Sequence, residues 1–256
     1  IHVGGHRIEY GFLAAHRVAP GAPVLIFLHE GLGSLALWKE FPNRVAQATG
    51  CPALVYSRYG YGRSEKLSAP RLVDYMHREA LEVLPELCAT LRIVNPVLIG
   101  HSDGASIALI HSGARKWPVK GLVLLAPHVF VEDVTIQNIR AAKVAFDSTD
   151  LPSKLGRYHD DVQSAFRGWN DIWLSPSFRH WNIEPNLSGI DCPMLLIQGE
   201  NDNYGSHAQI VSICNQVAGS VQTLMLPECG HSPHVDQADA THRAIKEFVA
   251  SLSVGL

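Results

Sequence analysis

Gly100-His101-Ser102-Asp103-Gly104 follows the apolar run Pro96–Ile99 and leads into Ala105–Arg115, a stretch with helical character. The pattern is G-x-S-x-G at a strand-to-helix junction. Small residues on either side of a serine let the chain turn sharply and present the hydroxyl above the end of a sheet. Five residues of this kind are weak on their own. Their placement between a strand and a helix is what gives them weight.

Upstream, Arg7–His16 reads as an opening strand or hairpin with a bend at Gly11. Val24–His29 and Ala53–Ser57 are continuous apolar runs bounded by glycine or proline, the mark of strands buried on both faces. Leu37–Thr49 and Tyr75–Leu91 carry helical spacing, the second with a kink expected at Pro85. Downstream, Gly121–Ala126, Met194–Gly199 and Gln222–Leu226 repeat the strand signal, and Ala238–Leu252 closes the chain as a helix. Strands alternating with helices predict an α/β fold: a mostly parallel twisted sheet with helices on both faces. The alternation lapses between His128 and about Asn186, where Val134–Phe146, Leu151–His159 and Asp161–Trp173 read as amphipathic helices. The expected organisation is a core of residues 1–127 plus 187–256 and an inserted helical cap, 128–186.

Ligands of such sheets bind beyond the carboxyl ends of the strands, so the residues just after each run matter most. Serine is a weak nucleophile until a base, itself oriented by a third group, takes its proton. His231, in Cys229-Gly230-His231-Ser232-Pro233, follows the strand Gln222–Leu226 and is the expected base. His234 lies beyond Pro233 and is read as a packing residue. Asp202 follows Met194–Gly199 and is the expected acid, with Glu132 and Asp133 after Gly121–Ala126 as alternatives. Acyl transfer also needs N–H donors for the developing oxyanion. One is expected from Asp103, the residue after the nucleophile, and one from His29-Glu30-Gly31-Leu32-Gly33-Ser34, after the strand Val24–Leu28.

Composition narrows the classes. The 256 residues are 46% hydrophobic and 18% charged, with a net charge of -3, which suits a folded domain and offers no basic stripe for nucleic acid. No apolar run is long enough to span a bilayer, and Ile1–Gly5 shows no secretory leader. Five scattered cysteines, never spaced C-x-x-C, predict reduced thiols and a cytoplasmic setting. Fourteen histidines form no metal-binding motif, and Gly60-Tyr61-Gly62 lacks the spacing of a dinucleotide or phosphate loop, so neither metal nor cofactor is expected.

With these residues in place, the chain resembles an α/β-hydrolase with a helical cap. The likeness runs through His29–Ser34, Ser57-Arg58-Tyr59-Gly60-Tyr61-Gly62-Arg63-Ser64, the elbow at Ser102, Gly199–Asp202 and Gly230-His231. It is most similar to the capped group that holds small esterases, enol-lactonases, meta-cleavage-product hydrolases and valacyclovir-hydrolase-like enzymes. The resemblance implies a serine hydrolase acting on a small carboxylic ester or lactone through an acyl-enzyme. Carbon–carbon hydrolysis, perhydrolysis and a noncatalytic small-molecule receptor are the alternatives. Aligning Leu37-Trp38 with the family's hydrophobic pair puts Gly31, rather than Leu32, at the second oxyanion donor. Two positions depart from the family: Glu30 stands where glycine is usual, and Ser57 where aspartate is common.

His128, Trp169 and Trp173 are the expected pocket residues, the tryptophans from the cap. A pocket of roughly 300–1,000 Å³ would set the fall-off in acyl chain length at about eight carbons.

Overall fold

The computed structural model describes residues 1–18 and 21–252. A short hairpin, β1 (His2–Val3) with β2 (His6–Arg7), precedes a seven-stranded sheet. The sheet comprises β3 (Glu9–Leu13), β4 (Leu25–Leu28), β5 (Ala53–Ser57), β6 (Val97–His101), β7 (Gly121–Leu125), β8 (Met194–Gly199) and β9 (Val221–Leu226). Its order is β3-β5-β4-β6-β7-β8-β9, with β3 antiparallel to β5 and every other pairing parallel. The expected bend at Gly11 is absent. Gly11 pairs in register with Val55, because β3 needs an unbroken edge to match all five residues of β5.

The continuous apolar runs are explained by the two faces they serve. Ile26, Leu28, Leu98, Leu122 and Leu124 belong to one core; Leu25, Phe27, Val97, Ile99, Val123 and Leu125 belong to the other. The second core is closed by α1 (Phe41–Thr49) and the last helix, Ala238–Ser251, whose Val45, Ala46, Ile245, Phe248 and Val249 are buried there. The predicted helix Leu37–Thr49 is split into a 3-10 turn at Ala36–Trp38 and α1 proper. Pro42 has no N–H to continue a helix but fits a first turn, so the helix begins around it.

Pro85 acts in a similar way. The helix starting at Tyr75–Arg78 passes through a π turn, Glu79–Val83, before continuing as Leu84–Thr90. The widened turn lies immediately before the proline, whose missing N–H interrupts the regular ladder.

The order of strand addition reverses about β4: the next strand, β5, lies on one side of it and β6 on the other, both parallel to it. That is a topological switch point, where a crevice opens between the loops that leave the two strands. The β4 exit carries Glu30 and Gly31, and the β6 exit carries Ser102. Between β7 and β8 the chain is helical, with α2 (Asp133–Ser148), Leu151–Leu155, α3 (Val162–Trp173), a 3-10 turn at Pro176–His180 and Glu184–Leu187. Apolar residues from α2 and α3, including Ile139, Phe146, Phe166, Trp169 and Trp173, join the first core.

Candidate active site

Ser102 has φ 52° and ψ -117°, between β6 and the helix Asp103–Gly113. A non-glycine residue at positive φ is strained, by about 1–3 kcal/mol, and the turn holds because its surroundings leave no alternative. A Cβ on Gly104 would collide with the Leu28 carbonyl, and one on Gly100 would meet the Gly104 carbonyl oxygen at 2.5 Å. The elbow is therefore pressed against β4, and its serine is 8% exposed at the mouth of the crevice.

His231 Nε2 lies 3.0 Å from Ser102 Oγ, and His231 Nδ1 lies 2.9 and 3.0 Å from the two Asp202 carboxylate oxygens. A carboxylate only accepts, so Nδ1 carries the proton and donates it to Asp202, leaving the Nε2 lone pair to accept from Ser102. Burial raises the Asp202 carboxyl, but the His231 hydrogen bond and charge and the Tyr204 amide outweigh it and hold the group below its usual value. The amides of Tyr204 and Gly205 donate to Asp202 Oδ1 at 2.8 and 3.2 Å. The two loops meet closely: a Cβ on Gly199 would collide with the Cys229 and Gly230 carbonyls.

The alternative acids are engaged elsewhere. Glu132 accepts from the Ser206 amide, Ser206 Oγ and Gln209, and Asp133 pairs with Arg179. His234 packs on Trp38 and Phe41, with ring centroids 5.0 and 5.1 Å apart, and burial and the nearby His101 push it down to about 3.

A cavity of about 150 Å³ opens on Ser102 and is lined by Gly31, His128, Ile139, Trp169, Trp173 and Tyr204 among others. All three residues expected in the pocket reach it. It is smaller than the 300–1,000 Å³ expected of it, because Trp169 lies so close over the oxyanion loop that a Cβ on Gly31 would collide with its indole. Among the described residues, the backbone N–H groups of Gly31, Leu32 and Asp103 have no hydrogen-bond acceptor. Asp103 also opens the helix behind Ser102, where the helix dipole favours developing negative charge. The Asp103 side chain links the elbow to α3: Tyr75 Oη donates to Oδ2 at 2.6 Å, and Trp173 Nε1 donates to Tyr75 Oη at 3.2 Å.

Burial, and then the nearby His231, push His128 down to about 3, so it is neutral beside His231. Its ring lies 5.5 Å from that of His231, and it makes no side-chain hydrogen bond among the described residues. Sequence reasoning missed Tyr75 and Tyr204, and quoted Arg58 without the role it has here, donating to the Glu30 carbonyl. Arg58 is the first residue after β5, so the strand-end rule pointed to it; Tyr75 carries no such signal. Among the described residues no group of three or more His, Cys, Asp or Glu side chains is arranged to hold a metal, all five cysteines are free, and no helix is long and apolar enough to cross a membrane.

Residues 25–244 match the family model described as alpha/beta hydrolase family. The chain belongs to the alpha/beta hydrolase family. Within it, the chain is 21% identical to a 2-succinyl-6-hydroxy-2,4-cyclohexadiene-1-carboxylate synthase of Enterobacter sp. (strain 638), over 90% of this chain and 93% of that protein. The enol-lactonase of Burkholderia xenovorans LB400 superposes with a TM-score of 0.76 at 18% identity, covering 97% of this chain and 98% of the other. An esterase of Exiguobacterium antarcticum does so at 0.75 and 17%, covering 98% of each. At these identities the two structures share the hydrolase fold with this chain.

Proposed function

We propose that this alpha/beta hydrolase is a serine hydrolase that cleaves a small carboxylic ester or lactone through an acyl-enzyme. The observation that carries the reading is the unbroken line from Ser102 Oγ through His231 to Asp202, with links of 3.0 and 2.9 Å. Ser102 Oγ attacks the carbonyl carbon as its proton passes to His231 Nε2. The carbonyl oxygen becomes an oxyanion facing the Gly31 and Asp103 amides. Collapse breaks the bond to the alcohol oxygen, which leaves with the proton from His231. Water then attacks the acyl-enzyme, losing a proton to His231, and collapse breaks the bond to Ser102 Oγ, which takes that proton back as the acid is released. Asp202 keeps the imidazole in the required tautomer and balances its charge.

In this reading residues 128–186 form a cap over a core of 1–127 and 187–256, and His128, Trp169 and Trp173 shape the substrate pocket. An esterase and an enol-lactonase among the structural relatives are in keeping with an open or cyclic ester. A fluorophosphonate probe tests the mechanism. Folded protein is expected to be labelled at Ser102, and the Ser102→Ala variant to stay unlabelled. Labelling at another residue, or none on folded wild type, refutes the mechanism.

A further inference from the structure

Glu30 and His101 are two titratable residues of the crevice that the triad leaves unused. Glu30 opens the oxyanion loop, immediately before Gly31. His101 ends β6, immediately before Ser102, and is 2% exposed. His101 Nε2 lies 2.7 Å from the backbone carbonyl oxygen of His231, and Nδ1 lies 3.4 Å from Glu30 Oε2. A carbonyl only accepts, so Nε2 carries a proton and donates it. The opposite nitrogen lies at ionic-contact distance from the Glu30 carboxylate but without hydrogen-bond geometry to it, and a lone pair there would face a negative charge, so the contact favours a second proton. One histidine therefore ties together the loops that supply the oxyanion donor, the nucleophile and the base.

Gly33 shows that the loop is shaped around this carboxylate: a Cβ there would come within 2.5 Å of Glu30 Oε2. The Glu30 backbone carbonyl is held independently, accepting from the Gly33 amide at 3.0 Å, Arg58 Nη2 at 2.9 Å and His29 Nδ1 at 2.7 Å. The side chain is thus not needed to close the turn.

We propose that Glu30 and His101 form an ion pair that positions His231: Glu30 keeps His101 doubly protonated, and His101 fixes the base loop to the elbow through the His231 carbonyl. His101 is a positioning residue, and the proposal deepens the serine-hydrolase reading on which it rests.

The groups facing His101 are Glu30, the His231 ring at 5.2 Å, the His234 ring at 4.9 Å and, beyond His231, Asp202. The His128 ring lies 5.5 Å from that of His231. Burial holds His234 and His128 neutral, so Glu30 and Asp202 are the charges that oppose the His101 imidazolium. Burial alone would lower His101, but Glu30, the His231 carbonyl and Asp202 outweigh it and raise the group above its ordinary value. Burial likewise raises Glu30, and the His101 contact outweighs it and lowers the carboxyl. The pair therefore survives to higher pH than an ordinary histidine would hold its second proton, and fails as alkali removes that proton from His101, leaving a lone pair against the Glu30 carboxylate.

The experiment reads the second-order rate of fluorophosphonate labelling of Ser102 across pH, for wild type, Glu30→Gln and His101→Gln, beside a ¹⁵N-histidine NMR titration of wild type. The His101 signals are assigned by their loss in His101→Gln. In wild type their titration midpoint is expected to lie above the ordinary histidine value of about 6.5. Glu30→Gln is expected to label about 10- to 100-fold more slowly, the scale of a misplaced base. Its alkaline fall should move to lower pH by about one unit or more, as expected when an opposite charge is removed. His101→Gln can still donate to the His231 carbonyl but has no proton to lose, so its alkaline fall should vanish. A purely structural role would instead scale every rate without changing the pH profile. A His101 midpoint at or below about 6.5, or superimposable profiles in all three proteins, overturns the proposal. Folded wild type that never labels refutes the hydrolase reading instead, while the NMR titration still decides whether the pair exists.

Discussion

Replacing Trp169 by phenylalanine should lengthen the acyl chain that the cavity accepts. The space above Ser102 is about 150 Å³, the size of an apolar cavity that holds one benzene ring. An acyl group of about six carbons should therefore fill it, two fewer than a pocket of ordinary size would take. Each methylene that fits is worth about 0.8 kcal/mol, or roughly four-fold in kcat/KM, if burial favours the transition state throughout. Across p-nitrophenyl acetate, butanoate and hexanoate, each two-carbon step should thus raise kcat/KM by up to about 16-fold. Forcing further methylenes into a filled cavity costs about 1–3 kcal/mol, a fall of roughly 5- to 150-fold at the octanoate. Trp169 packs directly over Gly31, so a smaller ring should move the maximum toward the octanoate while leaving the acetate rate within a few-fold. Phenylalanine is preferred to alanine because deleting a buried tryptophan outright costs about 3–5 kcal/mol and endangers folding. The assay is steady-state hydrolysis of the ester series by both proteins. A wild-type profile that keeps rising past ten carbons, or a Trp169→Phe profile with the same maximum, would refute the claim that this indole sets the depth.

Three further outcomes follow from the geometry. His231→Ala should lower kcat by about 10⁴-fold or more, and His234→Ala by less than about ten-fold, since His234 packs on Trp38 and Phe41; the reverse ranking in steady-state kinetics would show that the base is misassigned. Gly104→Ala drives a methyl group into the Leu28 carbonyl, and its urea midpoint should fall by the equivalent of at least about 1–3 kcal/mol; an unchanged midpoint would mean that the elbow is looser than this contact implies. Asp202 is held below its usual value, so its share of stability is present above the unfolded carboxylate value of about 3.9 and is lost as pH falls through the folded value. The stability lead of wild type over Asp202→Asn in urea should therefore shrink on acidification, and a lead that grows would contradict the assignment.

The alternation of buried runs with helical stretches was enough to place the sheet, because a strand covered on both faces must be apolar at every position. Leu25–Leu28 and Gly121–Leu125 are fully buried, as their composition demands. The order Ser102, Asp202, His231 was legible for a related reason: each residue follows a strand directly, and in a parallel sheet those strand ends gather along one edge. Glycines and prolines marked element boundaries less well, since their effect depends on partners. Gly11 is accommodated within β3 by its pairing with β5, whereas Pro85 displaces its strain into a π turn.

Local pattern and chain order were sufficient for the class of fold and for placing Ser102, Asp202 and His231 just after strand ends. Which acid faces His231 was settled by packing, because Glu132 and Asp133 differ from Asp202 in their neighbours rather than in type. Packing set the size of the cavity as well, since the depth at which Trp169 seats over Gly31 depends on how α3 lies against the sheet. The meeting of Glu30 with His101 is of the same kind: residues far apart in the chain are joined at the switch point by the adjacency of β4 and β6. A contact of that sort leaves no periodic trace in the sequence, because neither residue's neighbours along the chain reveal what lies across the crevice.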